Sequence, residues 1–157
     1  MTASSLARLL ALLIPAALLG GALVSQHVFG LFPCELCYWQ RWPHEAAIAF
    51  AIVALLLGRR AAAAPLVALA AIAILISGGI GAFHAGVEYG WWEGFTTCSS
   101  TAGSAALESI MNAPLIRCDQ AQWTLAGISL AGFNAIFSIG GGLLVLWLLV
   151  GRGRKSA

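Results

Sequence analysis

Four apolar runs, at about 9–28, 42–58, 66–83 and 127–150, fix most of what this chain can fold into. A helix needs roughly 17–25 mostly apolar residues to cross a bilayer, and each run is of that order. In lipid every backbone polar group must be satisfied within the protein, so an open sheet is excluded. The alternating pattern of a membrane barrel is absent. The expectation is an all-α membrane protein, a four-transmembrane-helix bundle forming a single domain over 1–157. Charge agrees: 9% of the 157 residues are charged, against roughly 25% in soluble domains. The second run is short and has Pro43 near its start, which leaves that boundary open. The first run is longer than a secretory signal core and its flank carries only Arg8, so it is read as an uncleaved span.

The basic residues set an orientation. Arg8, Arg59, Arg60, Arg152, Arg154 and Lys155 fall in the N-terminal, middle and C-terminal segments, which share one face of a four-span protein. Only Arg41 and Arg117 lie on the other. The positive-inside rule makes the first face cytoplasmic. A net charge of +2 gives no case for nucleic acid, and most basic residues read as membrane-flanking anchors.

All four cysteines then fall on the opposite face, in loops 29–41 and 84–126, where disulfides are permitted. Cys34 and Cys37 form a C-x-x-C pair directly before the second span. That spacing suits a reversible disulfide, and a nearby helix N-terminus favours a thiolate. If the helix begins early, Arg41 lies one turn from Cys37 on the same face. An arginine on this side runs against the topological bias, and a thiolate needs a nearby cation. Its alternative reading is a side chain anchored at the headgroups. Cys98 and Cys118 occupy the longer loop, and the layout suggests electron transfer between two dithiol/disulfide pairs and an acceptor dissolved in lipid.

Within that loop Ala105, Leu107, Ile110, Met111 and Leu115 mark an apolar face at helical spacing, with Ser104 as a cap and Pro114 as a stop. A short surface helix is expected there. Gly78, Gly79, Gly81 and Gly86, and Gly140 to Gly142, read as close helix packing. Trp39, Trp42, Trp91, Trp92 and Trp123 read as an aromatic belt. Two alternatives stand beside the redox reading. One is a zinc site of four thiolates, although structural zinc sites usually pair two close-spaced motifs. The other is a non-enzymatic protein with structural disulfides, a Cys98–Cys118 bridge stabilising its loop by roughly 3 kcal/mol.

The run Pro33-Cys34-Glu35-Leu36-Cys37-Tyr38-Trp39-Gln40-Arg41 resembles the first periplasmic loop of the bacterial disulfide bond formation protein B family, DsbB. The second cysteine pair in the next external loop, and Gln122-Trp123 before the last span, agree with it. The resemblance implies a thiol:quinone oxidoreductase of the bacterial inner membrane, with both termini cytoplasmic and the cysteine loops periplasmic. It implies disulfides Cys34–Cys37 and Cys98–Cys118, a DsbA-type thioredoxin-fold partner, and ubiquinone or menaquinone as cofactor. A thiolate of the partner would attack Cys98, Cys118 would attack Cys34, and Cys37 would pass electrons to the quinone, with Arg41 stabilising the developing charge. His84 is implied as a quinone contact, and no metal is expected.

Overall fold

The computed structural model describes residues 2–58, 60–94 and 116–151. Among them are four long helices, α1 Ala3–His27, α2 Glu35–Leu56, α3 Ala63–Glu88 and α4 Leu130–Val150, and one two-residue-stranded hairpin, β1 Thr124–Leu125 with β2 Ile128–Ser129. α1, α3 and α4 are long and apolar enough to cross a membrane. α2 has the length, but its first half carries Glu35, Gln40, Arg41, His44 and Glu45. The expected surface helix around 104–114 and Cys98 lie outside the described residues.

Two helix boundaries differ from the apolar runs. α2 starts at Glu35, so Glu35–Arg41, expected in the loop, is helical, and Pro43 lies inside the helix. The reason is a cap: Cys34 is extended, and its sulfur accepts a hydrogen bond from the Cys37 amide at 3.3 Å. A helix start satisfied in this way needs no apolar residues. α3 continues past Phe83 to Glu88, which makes His84 helical rather than part of the loop. The fourth apolar run loses its first residues to the hairpin. Ala126 and Gly127 both take positive φ, +52° and +79°, as a two-residue hairpin turn requires. Tyr89 holds this hairpin to the end of α3, donating to the Gly127 carbonyl and accepting from the Ser129 amide. Ser129 in turn caps α4 through the Gly132 amide at 3.1 Å.

Small residues bring the helices together. The larger buried cluster is dominated by alanines, among them Ala7, Ala11, Ala47, Ala51, Ala70 and Ala71, with Val67, Ile74 and Val145. Without a hydrophobic drive between helices in lipid, close backbone approach supplies the packing contacts. A Cβ on Gly81 would sit 2.9 Å from Asn134 Nδ2 and 3.0 Å from the Ala131 carbonyl oxygen. One on Gly142 would sit 2.7 Å from Leu75 Cγ. A Cβ on Gly79 or Gly140 would meet nothing within 4 Å among the described residues, so only part of each glycine cluster is needed for close packing there. Trp92 lies over Gly86, stacks on Phe83 and donates from its indole to the Phe83 carbonyl. That tryptophan is therefore a tether for the end of α3 as well as a boundary residue.

Candidate redox site

The start of α2, the end of α3 and the segment before the hairpin converge at one end of the bundle. There Cys34, Leu36 and Val87 are buried together, with Cys37, Trp39, Phe83, Ile116 and Cys118 packed on them. The Cys34 and Cys37 sulfurs are 3.0 Å apart. A disulfide requires about 2.05 Å, so bonding needs them to close by only about 1 Å. The donor atoms of Cys34, His84 and Cys118 all lie within 4.8 Å of one another. Three such donors are the kind that hold a soft cation, yet zinc takes four ligands in its structural sites. The same convergence is what thiol–disulfide exchange between Cys118 and the C-x-x-C pair demands.

His84 is 2% exposed and joins the three segments that meet here. Its Nε2 lies 3.5 Å from Cys34 Sγ and 3.6 Å from a Glu88 carboxylate oxygen, and the ring also hydrogen-bonds the backbone of Cys118. Its Nδ1 lies 2.9 Å from Gln40 Nε2. The Cys34 thiol shares hydrogen bonds with Cys118 and Cys37 and is buried, and together these push its pKa well above the ordinary thiol value.

Behind His84 runs a polar network through three helices. Gln40 donates to the Leu36 carbonyl at 3.0 Å. Asn134 donates to Gln40 Oε1 at 2.8 Å and to the Ser77 carbonyl at 3.2 Å. Because both amides donate to backbone carbonyls, their orientations are fixed by the network. Asn134 Oδ1 therefore accepts, from His44 Nε2 at 2.9 Å and from the Ser138 hydroxyl at 2.9 Å. Ser77 donates to the Gln40 carbonyl at 2.8 Å, tying α3 to α2.

An apolar cavity of about 250 Å³ adjoins the sulfurs. Leu18, Ala22, Ala131 and Phe133 supply wall from α1 and α4, and Cys37, Arg41, His44 and Asn134 line it as well. Arg41 sits one turn beyond Cys37, as an early helix start requires. Its guanidinium donates to Gln26 Oε1 at 2.6 Å and to the Ala22 carbonyl, and stacks 5.3 Å from the Tyr38 ring centroid. Gln122 donates to the Phe32 carbonyl and so joins the two cysteine-bearing segments.

Cys34, Cys37, Cys118, His84 and Arg41 are thus brought to one place, while Cys98 lies outside the described residues. The sequence reading assigned no role to Glu88, Gln40, Asn134 or Ser77. Two signals were present: Glu88 lies at i+4 from His84, and Asn134 is a lone amide inside an apolar run.

A helical membrane bundle that lodges a C-x-x-C pair, with a third cysteine at hand, beside a greasy cavity is built as a membrane oxidoreductase of disulfide formation. Comparison with known proteins gives the family. The model of the family described as "Disulfide bond formation protein DsbB" matches residues 4–148, and the chain belongs to that family. It is 31% identical over 162 residues to disulfide bond formation protein B of Acidovorax sp. (strain JS42), covering 95% of this chain and 90% of that one. The protein of the same name from Verminephrobacter eiseniae (strain EF01-2) is 34% identical over 152 residues, covering 90% and 82%. That from Xanthomonas oryzae pv. oryzae (strain MAFF 311018) is 31% identical over 150 residues, covering 90% and 86%. No solved structure gives a significant match.

Proposed function

We propose that this protein reoxidises a periplasmic thioredoxin-fold dithiol oxidase of the DsbA type and passes the electrons to a membrane quinone. The observation that carries this reading is the placement of Cys34 and Cys37, 3.0 Å apart, between Cys118 on one side and an apolar cavity on the other. Electrons arriving at Cys118 have a neighbouring disulfide to enter, and Cys37 faces the space a lipid-soluble acceptor would occupy.

The cavity suits a flat apolar ring with polar edges. Its walls are mostly aliphatic and aromatic, Arg41 supplies a cation, and buried His44 Nδ1 has no hydrogen-bond partner among the described residues. Cys37, Arg41 and His44 would hold the ring, with His84 on the sulfur side of the same wall. A bound quinone supplies an acceptor for two electrons and two protons. The residues do the rest. The helix N-terminus, and the hydrogen bond that the Cys34 thiol donates to the Cys37 sulfur, favour negative charge on Cys37. His84 orients Cys118 through its backbone and contacts Cys34. Attack of Cys118 on Cys34 forms their disulfide and leaves the bonding pair on Cys37 as a thiolate. Arg41 stabilises negative charge that develops in the cavity. The orientation that follows from this role, and from six basic residues against two, puts the cysteines in the periplasm and both termini in the cytoplasm of an inner-membrane protein.

The test is quinone reduction by purified protein supplied with a reduced DsbA-type dithiol, wild type against Cys37→Ser. Turnover in the wild type and its loss in the variant support the reading. Absence of turnover in folded wild-type protein with both ubiquinone and menaquinone analogues overturns it in favour of structural disulfides.

A further inference from the structure

The cluster holds one buried group that the thiol relay above leaves unused. The Glu88 side chain is 7% exposed, lies one turn below His84 and lines the cavity with it. One carboxylate oxygen is 3.6 Å from His84 Nε2 and the Ser129 hydroxyl also hydrogen-bonds the carboxylate, but Oε2 is buried with no hydrogen-bond partner among the described residues. A buried carboxylate oxygen left without a donor is costly as an anion and is relieved by a proton.

His84 cannot take that proton without breaking the network. Both amide hydrogens of Gln40 are committed, one to the Leu36 carbonyl and one to His84 Nδ1. Asn134 prevents the Gln40 amide from turning over, because it donates to Gln40 Oε1. Nδ1 is therefore an acceptor, Nε2 carries the hydrogen, and the ring is held neutral. The groups facing Glu88 are His84 on its own helix, Cys37 with Cys34 at the start of α2, and Cys118 ahead of the hairpin; α4 contributes its neutral cap Ser129. Arg117 also lines the cavity, but its guanidinium is paired with Asp119.

We propose that Glu88 carries one of the two protons of the Cys34–Cys37 cycle, standing as a carboxylate while the disulfide is formed and as a carboxylic acid once it is reduced. The balance is direct. The disulfide takes two electrons from the incoming dithiol. One proton ends on Cys34, which donates to the Cys37 sulfur, and the second ends on Glu88 while Cys37 remains a thiolate. The cluster carries one negative charge before and after, moved from Glu88 to Cys37. Without a proton carrier, two anions would share an apolar cleft in which Glu88 acts electrostatically on Cys37. On reoxidation the S–S bond reforms, two electrons leave toward the cavity, and Glu88 and Cys34 release their protons beside it.

This inference rests on Cys34 and Cys37 being redox-active, and its test uses no quinone. Quinone-free full-length protein in nanodiscs is reduced with excess dithiothreitol, and reduced-minus-oxidised infrared spectra are recorded in H₂O and D₂O. The expected result is a carboxylic-acid carbonyl band in the reduced state that shifts in D₂O, vanishes in Glu88→Gln and persists in Glu88→Asp. A pH-indicator dye should show the wild type taking up about one proton per molecule more than Glu88→Gln at neutral pH. An unchanged band in Glu88→Gln, or equal proton uptake, overturns the proposal. Failure of quinone turnover with the band intact would overturn the quinone reading and leave this one standing.

Discussion

His84 Nε2 and Cys34 Sγ lie 3.5 Å apart although fifty residues of sequence separate them. The contact closes the end of α3 onto the start of α2 and places a fixed N–H beside the sulfur that Cys118 reaches in the proposed relay. Its strength depends on two amides further into the bundle, because Gln40 and Asn134 set which nitrogen of His84 carries the hydrogen.

Replacing Asn134 by alanine should expose that dependence. It leaves Gln40 Oε1, His44 Nε2 and Ser138 without one partner each, and a buried unsatisfied group costs about 1–3 kcal/mol. The variant should melt at lower temperature in detergent and show slower formation of the Cys34–Cys118 disulfide. Unchanged stability would mean that water replaces the amide.

Gly81 and Gly140 should respond in opposite senses to alanine. The new methyl at Gly81 meets Asn134 and the α4 backbone at 2.9–3.1 Å, an overpacking that costs about 1–3 kcal/mol. At Gly140 it meets nothing within 4 Å among the described residues, and the gain in helix propensity is about 0.5–1 kcal/mol. Thermal unfolding of both variants checks the pair, and a Gly140→Ala loss as large as that of Gly81→Ala would contradict the packing.

Arg41→Gln should raise the KM for a soluble quinone about tenfold, equivalent to about 1.4 kcal/mol, while leaving oxidation of the dithiol partner in a single turnover near wild type. Gln26→Ala removes a hydrogen-bond partner but not the charge, and should have the smaller effect. Equal effects of both on stability, with KM unmoved, would make Arg41 a clasp between α1 and α2.

In the reduced protein the Cys34 thiol should stay protonated at pH values where an ordinary thiol ionises, because its hydrogen bonds and burial hold its pKa up. Raising the pH from 7 to 9 should therefore speed iodoacetamide alkylation of a model thiol but scarcely that of Cys34. Mass spectrometry of peptides after timed labelling measures this, and Cys34 labelling that follows the model thiol would refute the assignment.

Much of the bundle was legible because apolar length survives any detail of packing. The α2 start was not, because Glu35–Arg41 is too polar for hydropathy to register and its helix is set by a sulfur cap. Cys34, Cys37, Cys118 and Arg41 were legible from spacing and from a charge on the disfavoured side. Glu88, Gln40, Ser77 and Asn134 were not, because their meaning arises only where three helices meet. His84 was singled out as a quinone contact; it lines the cavity, and its ring nitrogens also lie against protein partners.

The cap of α2 has a mechanical consequence. In the proposed relay the sulfur that caps this helix is also the atom that changes bonds, so the first turn would lose its acceptor whenever Cys34 is called away. A helix fastened only there would fray with every cycle and carry Arg41 out of register. α2 is instead riveted one turn further in, by Gln40 to the Leu36 carbonyl and by Ser77 to the Gln40 carbonyl. Exchange at the tip would thereby be isolated from the frame, so that the sulfurs could trade partners while the cavity keeps its shape.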